Sequence, residues 1–276
     1  MSAPTELLSA RALRIRERIL TMGATGVGTH VGGSLSCVEV LAVLYDSVLD
    51  VRPDDPDFPD RDRFVLSKGH ASAALYATLV EFGLLPESEC DTYAVSGGRL
   101  AGHPLRRLPG VEFPTGSLGH GLSLGAGVAL AAKRTGRPSR AFVLLGDGEL
   151  QEGSVWEAAQ FAPTVGLDNL VAVVDRNGWQ ITGRTTDLGL EPLADRWRSF
   201  GWAVAEVDGH DTAALREAFA AVPTRPGRPT VVLATTVKGK GVPLFEDKKK
   251  SHHVTLTPPL LARALGGLRA RARRES

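Results

Sequence analysis

Two short segments of this chain carry residues whose types and spacing could do chemistry. They are Gly146-Asp147-Gly148-Glu149 and, about thirty positions on, Asp175-Arg176-Asn177-Gly178-Trp179. The Asp147 carboxylate and the Asn177 carboxamide oxygen are hard ligands. Together they suit Mg²⁺ or Ca²⁺ that shares its remaining positions with phosphate oxygens and water. The glycines flanking Asp147 would let a diphosphate approach the backbone. A helix starting near Glu152 would add N–H groups and the positive end of its dipole. Taken singly, Gly-Asp-Gly and Asn-Gly are also ordinary turn sequences. Their order and their separation across one helix favour a shared site.

Such a site needs strands to present it. Residues 141–145 (AFVLL) and 170–175 form continuous apolar runs that end at the two polar segments. Runs of this kind suit parallel strands buried on both faces. Residues 203–207 and 231–235 read as two more strands and 63–67 as a short one, with helical segments between them. This alternation predicts an α/β fold with a mainly parallel sheet flanked by helices on both faces. In such sheets ligands bind at the carboxyl ends of strands, and neighbouring β-ends would bring Asp147 and Asn177 together. Leu8, Ala12, Ile15, Ile19 and Met22 recur at steps of four and three, the stripe of an amphipathic helix. Residues 36–49 read as a helix with Ser36 as its N-cap. Helices are also expected over 71–82, 121–133 and 152–163. Residues 97–118, rich in Gly and Pro, read as a long functional loop. The expectation is one domain over 1–276, with a C-terminal extension from about 241.

Composition narrows the function classes. The chain has 276 residues and a formal net charge of +1, so nothing in its overall charge favours nucleic acid or a membrane surface. No apolar run approaches the roughly 20 residues that span a bilayer, and a cytoplasmic location is the default. The two cysteines, Cys37 and Cys90, form no CxxC pair, which leaves zinc and redox motifs unsupported. Arg263, Arg269, Arg271, Arg273 and Arg274 crowd the tail, either as a solvated helix face or frayed end or as a contact for an acidic partner.

The two polar segments, read as GDGELQEGSVWEAAQFA and LVAVVDRNGWQITG, resemble the thiamine-diphosphate motif, GDG followed by N after about thirty residues. The stretches THVGGSLSCVEVLAVLY, DRFVLSKGHASAALYATL and GHPLRRLPGVEFPTGSLGHGLSLGAGVALA resemble transketolase segments in the family's order. The resemblance runs from about 11 to 252 and implies the thiamine-diphosphate-binding fold.

The resemblance also implies roles. Asp147, the Asn177 side chain and the Trp179 carbonyl would hold Mg²⁺, with Ca²⁺ or Mn²⁺ as substitutes. The metal would clamp the diphosphate of thiamine diphosphate. Gly146, Gly148, Glu149, Gly116, Leu118 and Lys238 would contact the cofactor. His30, His70, His103 and His252 would form the catalytic group, with His70 nearest the diphosphate; imidazoles suit proton transfer to and from sugar hydroxyls and carbonyls. Ser251-His252-His253 stands where the family usually has Trp-His-Gly, which leaves open which histidine points inward. His120 is a second departure. Glu152 resembles a carboxylate on a proton path at the subunit interface, and it also suits a helix first turn.

The glutamate that activates the aminopyrimidine lies, in the family, in a second domain beyond the end of this chain. The implied function is two-carbon ketol transfer between sugars. It requires a C-terminal transketolase subunit with the pyrimidine-binding and C-terminal domains, in an α₂β₂ assembly. Competing readings are half of a deoxyxylulose-phosphate synthase-like or 2-oxo-acid dehydrogenase-like enzyme, or an inactive binding subunit.

Overall fold

The computed structural model describes residues 4–275. The predicted stripe forms α1 (Pro4–Met22), and Leu8, Ala12, Ile15, Ile19 and Met22 are all buried. Five strands follow in the chain: β1 (Arg63–Leu66), β2 (Ala141–Gly146), β3 (Leu170–Arg176), β4 (Ala203–Asp208) and β5 (Thr230–Thr235). They form one sheet in the order β1-β2-β3-β5-β4, with every pairing parallel.

Two-sided burial explains why the strand sequences do not alternate. Phe142, Leu144, Val171, Val173 and Val232 enter a core shared with α1, α3 (Val38–Val43), α4 (Ser72–Glu81) and α8 (Thr212–Ala220). The intervening residues Val143, Leu145, Ala172, Val174 and Val231 enter a second core with α5 (Gly121–Arg134), α6 (Gly153–Thr164) and α7 (Leu193–Ser199). The period of two is present in space, with apolar partners on both sides.

One predicted element is corrected. Residues 36–49 are not a single helix capped by Ser36. Instead α2 (Val31–Ser36) ends at Ser36, α3 follows, and a π-helical turn covers Leu44–Val48. The Ser36 hydroxyl donates to the buried Asp175 carboxylate at 2.6 Å. A partner that distant in sequence leaves no local signal.

The C-terminal segment crosses back over the start of the chain. Thr29 and Val254 exchange backbone hydrogen bonds of 3.0 and 2.9 Å, and α9 (Pro258–Glu275) packs on α1. The arginine-rich tail is therefore a docked helix. Arg269 and Arg271 pair with Glu17 and Glu246 of the same chain, each at 2.6 Å. No described helix is long and apolar enough to cross a membrane.

Candidate active site

Gly146 stands opposite Asp175 in the β2–β3 register. The two polar segments therefore leave the same edge of the sheet side by side and floor a cavity of about 390 Å³. This edge contributes Gly146, Asp147, Gly148, Glu149, Asn177 and Trp179 to the walls, and Glu152 also lines the cavity. The long loop before α5 contributes His103, Gly116 and Leu118. His30 precedes α2 and His70 precedes α4; both face the same space, as do Lys238 and His252 from the C-terminal segment. Every site residue expected from the sequence thus lines one cavity. His120 lines a neighbouring cavity of about 520 Å³ that shares His103 and Gly116 with the first.

Asp147 is nearly fully buried. Its carboxylate accepts from Gly148 N at 2.9 Å, Gly178 N at 2.7 Å and Thr185 Oγ1 at 3.0 Å. Burial and the neighbouring Asp175 charge push its pKa up to about 6. Such a carboxylate would be stabilised by a cation. Asn177 lies beside it, its Nδ2 donating to Asp175 Oδ2 at 2.9 Å, which fixes the amide so that Oδ1 is the end left for a ligand. Oδ1 accepts the Trp179 N–H at 3.1 Å. These oxygen donors fit a hard divalent cation. Among the described residues no group of three or more His, Cys, Asp or Glu side chains is arranged to hold a metal. The expected set is of a different kind, with one carboxylate, one carboxamide and one carbonyl.

Behind the floor lies a group whose part the sequence did not reveal. Asp175 is fully buried and pairs with the equally buried Lys68. It also accepts from Ser36, Asn177 and Thr236. Burial alone would neutralise both partners. Their mutual charge outweighs it, raising the Lys68 pKa and lowering that of Asp175. Lys68 Nζ also donates to the Gly33 carbonyl at 2.8 Å. The available signal was its place directly before Gly69-His70. Glu149 is occupied in a similar way, accepting from Ser67, from Gly119 N at 2.9 Å and from Gly146 N at 3.1 Å. It ties the loop before α5 to the end of β2. Gly119 has φ +84°, and a Cβ there would lie 2.5 Å from Ser154 Oγ, so no other residue fits this approach.

The histidines form a cluster centred on His30. Ring centroids lie 5.3 Å from His70, 6.1 Å from His103, 5.2 Å from His252 and 4.8 Å from His253. His252 lines the cavity, whereas His253 packs edge-on against the His30 ring. Burial and the surrounding histidines lower the His30 pKa to about 3. Burial and Lys238 lower that of His252 to about 4. Burial and Lys68 lower that of Lys238 to about 8. At neutral pH the two imidazoles are therefore uncharged bases beside a lysine that is still largely protonated. The Trp179 loop is clamped by a second contact: Arg184 stacks 3.9 Å over the indole, and both residues bind Asp247 at 2.7 Å.

Comparison with known proteins agrees with this geometry. Residues 11–264 match the family model for the transketolase, thiamine diphosphate binding domain. The chain is 44% identical over 249 residues to the 6-deoxy-6-sulfo-D-fructose transketolase subunit of a Clostridium species, covering 90% of each. It is 42% identical to an apulose-4-phosphate transketolase subunit of Phocaeicola vulgatus, covering 90% of this chain and 89% of that one. Among solved structures, a transketolase from Pichia stipitis superposes with a TM-score of 0.90 at 30% identity, covering 97% of this chain. The chain spans 41% of that enzyme's length. A parallel sheet with this cavity at its carboxyl edge, matched over nearly its whole length, places the chain in the transketolase family as a thiamine-diphosphate-binding domain.

Proposed function

We propose that this chain is the diphosphate-binding subunit of a two-chain transketolase that moves a two-carbon ketol unit from a ketose to an aldose. The observation that carries the reading is the match to two proteins named as transketolase subunits, over about nine-tenths of each. Residues 1–276 act in it as one domain, and the packing of α9 on α1 supports this.

When bound, thiamine diphosphate supplies the carbon nucleophile and electron sink for cleavage of the ketose C–C bond. The protein's part is anchoring, orientation and proton transfer. Asp147, Asn177 and the Trp179 carbonyl hold Mg²⁺, with Ca²⁺ or Mn²⁺ as substitutes. The buried carboxylate and the Asp175-anchored amide support this assignment. Lys238 and His70 face the diphosphate. An anion there favours the charged form of Lys238 and opposes the effect of burial. His30, His103 and His252 exchange protons with the sugar hydroxyls and carbonyl. The lowered pKa values of His30 and His252 keep both imidazoles neutral at pH 7, each with a free nitrogen lone pair. Gly116 and Leu118 support the thiamine rings. Glu152, which is exposed, faces the partner.

The partner supplies the pyrimidine-binding and C-terminal domains in an α₂β₂ assembly, where a large apolar interface is expected. The test is ketol transfer from xylulose 5-phosphate to ribose 5-phosphate with thiamine diphosphate and Mg²⁺. The chain alone is compared with the chain plus the product of the adjacent reading frame. Activity in the mixture alone supports the reading. Activity of the chain alone refutes the requirement for a partner. Cofactor binding without turnover of any ketose supports an inactive subunit.

A further inference from the structure

Outside the cavity, two charged side chains and an imidazole from separate parts of the chain converge in the core. Arg16 of α1 grips Glu39 of α3 with both terminal guanidinium nitrogens, at 2.7 and 2.8 Å. The same carboxylate lies 3.0 Å from His210 Nδ1, just after β4. Arg16 and Glu39 are both more than nine-tenths buried. A buried triad of this kind is weak evidence for stability, since its desolvation offsets much of its attraction. Its outward contacts suggest what it does. His210 Nε2 accepts the Val237 N–H at 2.8 Å, which fixes the neutral tautomer with the proton on Nδ1, facing Glu39. Arg16 Nε donates to the Lys240 carbonyl at 3.0 Å. The triad therefore holds the backbone on both sides of Lys238, by a donor at 237 and an acceptor at 240. Lys238 itself is 3% exposed, with its ammonium in the cavity 3.5 Å from His252 Nδ1.

We infer that Arg16, Glu39 and His210 are positioning residues that set the affinity for the cofactor diphosphate by fixing the backbone that carries Lys238. The inference rests on the proposed reading that Lys238 faces the diphosphate. A carboxylate–imidazole–backbone chain behind a ligand-binding side chain acts as outer-shell partners do at metal sites, by orienting a group that makes the contact itself. His210 does not line the cavity, so it acts on the cofactor indirectly, through the backbone it holds at Val237.

The test is a double-mutant cycle on the assembled enzyme, titrated with Mg²⁺–thiamine diphosphate and followed by calorimetry. His210→Ala is expected to raise the cofactor Kd about tenfold, the scale of one lost positioning hydrogen bond. In a Lys238→Ala background the same change is expected to move Kd less than about twofold. His210→Leu, which keeps the apolar volume, runs through the same cycle in case the alanine variant does not fold. An equal factor in both backgrounds overturns the inference, because a general loss of structure does not depend on Lys238. An unchanged Kd in the single variant overturns it also. If Lys238→Ala binds cofactor as the wild type does, the diphosphate role of Lys238 fails first, and the failure lies in the reading beneath.

Discussion

Replacing Lys68 by Met removes the cationic partner of Asp175 while nearly keeping its length and volume. The carboxylate then has two courses at its fully buried position. It can stay charged with its hydroxyl and amide donors, Ser36, Asn177 and Thr236. Breaking a buried pair in this way costs about 3–5 kcal/mol. Or it can take up a proton. From an ordinary carboxylate pKa of 3.8, protonation at pH 7 costs about 4.4 kcal/mol, at 1.36 kcal/mol per unit. The second course caps the first, so the variant is expected to lose about 3–4 kcal/mol at neutral pH, a large part of the roughly 5–15 kcal/mol that holds a typical domain folded. The sign with pH follows. In the variant the folded-state pKa of Asp175 is raised, so the native state binds the extra proton. The deficit relative to wild type shrinks as pH falls from 7 towards 4. Urea unfolding of both proteins at pH 7 and pH 5 measures this. A loss below about 1 kcal/mol at pH 7, or a deficit that does not change with pH, would refute the low-dielectric pair on which the aim of Asn177 depends.

Three further outcomes are expected. Asp147→Ala abolishes Mg²⁺-dependent binding of thiamine diphosphate; a normal affinity by fluorescence titration would remove Asp147 from the metal site. His103→Ala leaves cofactor affinity within about twofold and lowers kcat by about 10²–10⁴, the range for loss of a proton-transfer group; an unchanged rate removes it from the catalytic group. The unliganded protein loses stability as pH falls below about 6.5, because unfolded histidines take up protons that His30 and His252, held near 3 and 4, refuse. Tm measured from pH 7 to 5 is expected to fall less in His30→Asn/His252→Asn than in wild type, and equal falls would refute the depressed basicity.

Much of the protein was legible locally. The spacing of Leu8, Ala12, Ile15, Ile19 and Met22 defines α1 because a helix repeats every 3.6 residues and buries one face. The apolar runs at 141–145 and 170–175 define parallel strands because only a sheet covered on both sides needs no polar alternation. Gly146 to Gly148 and Asn177 mark the cavity floor because turn residues at strand ends, carrying oxygen ligands, form a short-range pattern.

What sequence could not decide was which distant groups meet. Ser36 looked like a helix cap, since capping is a local signal, yet its hydroxyl serves Asp175, 139 positions further along the chain. Of His252 and His253, neighbours in sequence, the chain's path before the Thr29–Val254 bridge puts the first in the cavity and the second against the ring of His30. The buried pair of Lys68 and Asp175 and the triad of Arg16, Glu39 and His210 draw on elements far apart in the chain. A charged residue carries no mark in its own neighbourhood that it will be buried; only packing supplies the partner that makes burial tolerable. The sequence by itself therefore determined most of the elements, the parallel character of the sheet and the polar segments at its strand ends. The tertiary structure decided which charges are paired in the interior, and through them how the floor and the rim of the cavity are held.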